Sequence, residues 1–138
     1  MLKNSILLHY SAAATTFIAG ILHLTLVPNV IDRNVNTGIF FLVGGIAQIF
    51  WVLPILRRWG RGWYSVGIAG TLILIIVWVI TRIPNNPITG RGGPIGSTAI
   101  AVEVFQIAFI VLSIIILVKD RKVRQASRIR QDKIFSAK

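Results

Sequence analysis

From Ile68 to Arg82 the chain reads IAGTLILIIVWVITR, with no charge before Arg82. This is the apolar end of a segment that begins near Trp63. A soluble helix shows a polar face with a period of 3.6 residues, and this segment shows none. Roughly 20 apolar residues at about 1.5 Å rise cover the ~30 Å hydrocarbon layer of a bilayer. The segment therefore reads as a membrane span. Three others resemble it in length and character, which places spans at about 5–27, 37–56, 63–82 and 95–118. The pattern predicts an all-α, integral membrane four-helix bundle over 1–118, followed by a polar tail at 119–138. The apolar run of the first span continues past Ala12-Ala13-Ala14 to Val27, so it reads as a retained helix rather than a cleaved leader.

Small and polar residues mark the faces that pack. Ala12, Thr16, Gly20 and His23 share one face of the first span. Small residues at such spacing let helices approach closely in lipid. Gly44, Gly45 and Gln48 mark the packed side of the second span; the third has Gly67, Gly70 and Thr71 toward its start. Ala99, Glu103, Gln106, Ile110 and Ser113 follow one face of the fourth, whose start Ser97 or Thr98 can cap. Pro28-Asn29 is expected to end the first helix, with a polar link from Pro28 to Asn36. The breakers Pro84, Pro87, Gly90, Gly92, Gly93 and Pro94 make 83–94 a surface loop.

Charge gives the picture a direction. Of 138 residues only 14% are charged, yet the formal net charge is +11, so the charge sits outside the spans. Lys3, Arg57, Arg58, Arg61 and eight tail residues fall on one side, twelve in all; Arg33, Arg82 and Arg91 fall on the other. Cytoplasmic loops accumulate Lys and Arg, so both termini are expected in the cytoplasm of a multi-pass cell-membrane protein. The tail carries its eight basic residues against Asp120 and Asp132, a net +6, and a weak apolar stripe that suits a short interfacial helix. Attached to a span, it meets anionic lipid headgroups before any nucleic acid. Arg57, Arg58, Arg61, Lys119, Arg121, Lys122 and Arg124 are the expected headgroup contacts, and no nucleic-acid partner is expected.

The candidate chemistry is sparse. Glu103 is the only acid within a span, and an ionisable group in lipid is by default a functional candidate whose partner should be named. Counting residues from the outer ends puts His23 and Glu103 at similar depth, with Arg82 reaching in from above and Gln48 or Gln106 beneath. Two readings stand. In one, Glu103 pairs with Arg82 or His23 and locks the bundle; in the other, His23 and Glu103 form a proton or cation site. His9 lies 14 residues before His23, about 21 Å lower, so the two histidines cannot both ligate one haem. No cofactor is expected. One His, one Glu and Asp32 make too thin a ligand set for a metal. There is no cysteine, so thiol chemistry is excluded. Ser11 and Thr16 form no evident nucleophile–base pair with either histidine, and no enzyme acting alone is expected. Gly90-Arg91-Gly92-Gly93-Pro94 has the look of an anion nest but matches no phosphate-binding motif.

Four features occur in a fixed order: His23-Leu24, the run GIFFLVGGIAQ from Gly38 to Gln48, Trp78 to Arg82 ahead of the Pro/Gly loop, and the single acid Glu103. In these the chain resembles a loosely defined group of small four-helix membrane proteins of bacteria and archaea, over most of residues 15–118. The resemblance implies a bundle with a polar outer pocket and no particular reaction. Similar bacterial proteins tend to carry acids in the loop before the fourth helix. This loop carries Arg91 and none, which weakens a metal site. Small multidrug exporters place their acid in the first helix, and quinone-linked thiol oxidoreductases need cysteines, so both fit worse. The expectation is an accessory or structural subunit of a larger membrane complex, for instance an archaeal membrane oxidase or monooxygenase, with other membrane subunits as partners. The alternative is an autonomous transporter or cation- or proton-handling protein using His23 and Glu103.

Overall fold

The computed structural model describes residues 2–90 and 92–136, with side chains from residue 6 onward. Four helices account for most of it: α1 (Leu2–Ile31), α2 (Val35–Leu56), α3 (Arg61–Ile80) and α4 (Ser97–Ser136). Each is long and apolar enough to cross a membrane. Their surfaces agree with that reading, because Leu7, Phe17, Val43, Ile46, Ile73, Ile76, Val104 and Ile107 are all exposed. In water such a surface would aggregate; facing lipid it costs nothing.

The helices pack in a ring. α1 lies chiefly against α2 and next against α4; α3 touches α4 and, most lightly, α2. The first and last helices are therefore neighbours, as in an up-and-down bundle. One end of the ring holds the α1–α2 turn and the 81–96 segment and is called the loop end here. The other holds the α2–α3 turn and the exit of α4 and is called the tail end.

A 3–4 spacing runs through all four inward faces. It picks out His9, Ala12, Thr16, Ala19 and His23 on α1, and Gly38, Phe41, Gly45, Gln48, Val52 and Ile55 on α2. On α3 it picks out Tyr64, Gly67, Thr71, Leu74, Trp78 and Thr81, and on α4 Ala99, Val102, Gln106, Phe109, Ser113 and Ile116. All are buried or half-buried. A mean spacing of 3.5 keeps one seam facing its neighbours along a gently coiled helix. Much of the seam is small or polar, which brings backbones close: a Cβ on Gly20 would stand 2.8 Å from the Gly45 carbonyl oxygen. Large apolar side chains fill the tail-end half, where Ala12, Ala13, Ile55, Tyr64, Phe109 and Ile116 form the hydrophobic core. The loop-end half is where the polar side chains collect.

Two boundaries differ from the sequence reading. α1 continues through Pro28 to Ile31, because a proline in the last turn forfeits one hydrogen bond and the turn needs few more. The chain instead reverses at Asn34, whose Oδ1 accepts from the Thr37 amide at 2.9 Å and so caps α2 from Val35. The tail is no separate interfacial helix. α4 runs unbroken to Ser136, because nothing between Val118 and Ser136 is a Gly or Pro that would stop it. At about 1.5 Å per residue its forty residues span roughly 60 Å, twice the hydrocarbon layer.

Candidate functional site

His23 is 5% exposed on α1. Its Nδ1 donates to the Ala19 carbonyl oxygen at 3.2 Å, and the Phe41 ring meets it edge-on at 5.2 Å. The Gln48 amide of α2 acts on the same imidazole across the α1–α2 seam. Thr16 Oγ1 donates to the Gln48 carbonyl oxygen at 3.1 Å, tying the two helices at mid-depth. His23 and Gln48 are thus brought together across the seam.

Glu103 and Gln106 face inward from α4, 9% and 0% exposed. Glu103 Oε2 and both polar atoms of the Gln106 amide are shut away without a hydrogen-bond partner, as is Ser113 Oγ two turns further along. Buried polar atoms are nearly always paired, because each unpaired one costs about 1–3 kcal/mol. A run of them down one helix is therefore the most informative local feature of the bundle.

Arg82 closes the loop end. Its Nη1 donates to the Pro94 carbonyl oxygen at 2.6 Å and its guanidinium lies 5.0 Å over the Trp78 ring. The charge of Glu103 acts on the Arg82 guanidinium. The two are electrostatic neighbours, and no hydrogen bond joins Glu103 Oε2 to Arg82 or to His23. The structure gathers His23 with Gln48, and Glu103 with Arg82, as two pairs in the same half of the bundle.

Above them opens a cavity of about 750 Å³, lined by Asn29, Arg33, Asn34 and Thr37 from the α1–α2 turn, by Thr81, Arg82, Thr89 and Gly93 from the loop, and by Ser97, Thr98 and Ala99 of α4. Glu103 lies one turn below Ala99. Phe41 lines the cavity and separates it from His23. The sequence reading missed Asn86, which organises the wall. Its Oδ1 accepts from the Ile88 and Thr89 amides at 3.0 and 2.8 Å, and its Nδ2 donates to the Ile83 carbonyl oxygen at 2.9 Å. An Asn between Pro84 and Pro87 is the sequence signal for such a turn. Arg91, the charge of the anion-nest reading, lies outside the described residues, as does Lys138 of the tail.

A second, smaller cleft of about 230 Å³ lies between α2 and α3, the lightest contact in the ring. Gly44, Gly67 and Gly70 back its walls, and Gln48, Thr16 and Thr71 supply its few polar groups.

The basic residues assigned to headgroups sit at the tail end. Arg57 and Arg58 are exposed in the α2–α3 turn, and Arg61 is half-buried at the start of α3. Lys119, Arg121, Lys122 and Arg124 are exposed on the first turns of α4 past the core. Arg58 and Asp120 both act electrostatically on the Tyr64 hydroxyl, which places the turn and the start of the tail at one level.

These features define a four-helix membrane-type bundle with polar side chains and a mouth at its loop end and a hydrophobic core in its tail-end half, where His9 and Ser113 are also buried. No protein-family model, no curated protein and no solved structure matches the chain.

Proposed function

We propose that this chain is an accessory or structural subunit of a larger membrane complex, lying in the cell membrane with both termini cytoplasmic. The carrying observation is the far part of α4. From Arg121 to Ser136 every residue is exposed, the apolar Val123, Ile129, Ile134 and Phe135 among them. Most helical stability in proteins comes from packing one face, and this stretch buries no face against the other described residues. It extends roughly 27 Å past the span. Headgroup attraction fades within a Debye length of about 8 Å. Lys119, Arg121 and Lys122 are within that reach and Arg124, about 9 Å out, is at its edge, whereas Arg128, Arg130 and Lys133 are beyond it. A basic rod beyond the lipid surface suits an acidic face on another subunit, such as one of a membrane oxidase or monooxygenase.

The test is the native size of the protein extracted in mild detergent from its own membrane, with co-migrating proteins identified, for the full chain and for a chain ending at Val118. The reading expects co-migration with defined membrane subunits, lost or weakened on truncation. Migration of the full chain as a monomer or homodimer would overturn it.

A second reading, cation or proton handling by His23 and Glu103, is favoured by one observation: Glu103 Oε2 lacks a partner one turn below the loop-end mouth. It expects Glu103→Gln to abolish flux or binding while the folded protein still accumulates. Failure of the variant to accumulate would favour a packing role instead.

A further inference from the structure

The loop-end mouth carries an inference that rests on neither reading above. Its volume of about 750 Å³ falls within the roughly 300–1,000 Å³ of pockets that enclose a small molecule. It lies at the end of the spans, the level at which lipid headgroups meet water. Its described lining includes two cations, Arg33 and Arg82, and no acid. Asp32 is exposed beside Arg33 in the chain, and Glu103 lies one turn below Ala99; neither lines the cavity. Glu103 offsets part of the Arg82 charge from beneath. The Arg33 guanidinium has no ion pair or hydrogen bond among the described residues.

Some polar groups of the mouth are already engaged, and their bonds fix its walls. Asn34 Oδ1 accepts from both the amide and the hydroxyl of Thr37, and Arg82 Nη1 donates to the Pro94 carbonyl oxygen. What these bonds leave over is donors. Asn34 Nδ2, Arg82 Nη2 and the Arg33 guanidinium make no hydrogen bond to the described residues. The start of α4 adds more. Its first residue is Ser97, so the capping position falls on Gly96, which has no side chain, and not on Ser97 or Thr98. The Ile100 amide bonds the Gly96 carbonyl oxygen at 3.1 Å, and the amides of Ser97, Thr98 and Ala99 come before that first helical bond. All three of these residues line the mouth, and amides so placed favour an anion.

Charge and donor number choose the anion. A carboxylate brings one charge and about four acceptor sites. A phosphate monoester brings three terminal oxygens and a charge of about −1.5 to −2, which two guanidiniums match, and arginine pairs with phosphate through two parallel bonds. Bare phosphate would leave most of the space empty, whereas Leu26 and Val30 offer an apolar side to the group it esterifies. We infer that the loop-end mouth binds a phosphate monoester, its phosphate held between Arg33, Arg82 and the first amides of α4 and its organic part against Leu26 and Val30. Such a group arrives either on a soluble ester or as the headgroup of a lipid.

The test uses the full chain in dodecyl maltoside, a detergent without phosphate. Titration calorimetry compares glycerol phosphate with glycerol, and dioctanoyl phosphatidic acid with dioctanoylglycerol. Saturable binding of a phosphate probe, and none of its phosphate-free counterpart, is expected. Binding of glycerol phosphate alone would assign a soluble ester, and of phosphatidic acid alone a lipid headgroup. Binding of both would assign a headgroup whose glycerol phosphate part suffices. Arg33 is exposed and its guanidinium has no bond to lose, so Arg33→Gln is expected to weaken binding about tenfold at an unchanged thermal midpoint. Arg128→Gln, on the tail, is expected to bind as the unaltered chain does. No saturable binding of either phosphate probe, full binding to Arg33→Gln, or an equal loss in Arg128→Gln would each overturn the inference. Native size decides the subunit reading and flux through Glu103→Gln the cation reading, so each fails separately from this one.

Discussion

At the scale of single residues, this bundle hides polar atoms that have no hydrogen-bond partner among the described residues. Gln106 is the clearest case, fully buried with both amide atoms unpaired. If the amide serves nothing, Gln106→Leu should stabilise the protein by about 1–3 kcal/mol, read as a higher thermal midpoint in detergent. A lower midpoint would show that its amide is engaged in the membrane. Close backbone approach predicts the opposite sign elsewhere. Gly45→Val places a branched side chain against Leu24 and the Gly20 carbonyl oxygen, which stands only 3.0 Å from the added Cβ. Overpacking of that kind costs about 1–3 kcal/mol or more, and the same melting assay should show the loss. The small-residue face of α1 was legible in the sequence, and Ala12, Thr16, Gly20 and His23 are all buried. Gly70 was not legible: it shares the composition of a packed face yet stands exposed. Composition tells which residues permit close approach, and only the arrangement of helices tells which are approached.

At the scale of elements, the informative parts are the ends. The 81–96 segment is held by a few groups: Arg82 Nη1 on the Pro94 carbonyl oxygen, the Gly93 amide on the Thr81 carbonyl oxygen at 3.0 Å, and the turn built on Asn86. Asn86→Ala removes the acceptor of two loop amides. It should raise hydrogen exchange and protease cleavage across 83–96 while the spans stay protected, and unchanged loop protection would show that other contacts suffice. Pro and Gly content gave the loop its place, but order in it comes from one asparagine and one arginine that composition does not single out. The same limit applies to Pro28. Proline is read as a stop because it removes a hydrogen bond, yet in the last turn of α1 that bond is dispensable, and Asn34 marks the reversal.

At the scale of the whole molecule, four helices long enough to span would put both termini on one side, and the uneven basic charge is the ground for proposing that this side is the cytoplasm. The chain lacks cysteine, so single probes are clean. Ser127→Cys is expected to be labelled only from the cytoplasm, and Asn85→Cys only from outside. The reverse pattern would overturn the orientation. Truncation at Val118 should leave the midpoint of the isolated bundle nearly unchanged, since the removed described residues are almost all exposed. A large drop would mean that the tail packs on the bundle.

The sequence by itself determined that the chain is helical, that four of its helices are long and apolar enough to span and where charge accumulates, because these depend on runs of residue types against the fixed thickness of a bilayer. It also placed polar groups inside the spans, since Glu103, Gln48 and Gln106 sit between apolar neighbours. Only the tertiary structure decided that α1 and α4 are neighbours and that α2 and α3 barely touch. Neither side-chain type nor periodicity encodes which inward face meets which. Pairing was decided the same way: His23 faces Gln48, Glu103 neighbours Arg82, and the Gln106 amide has no partner among the described residues. Depth along each helix can be counted from a sequence, but rotation and spacing between helices are set jointly by all four seams.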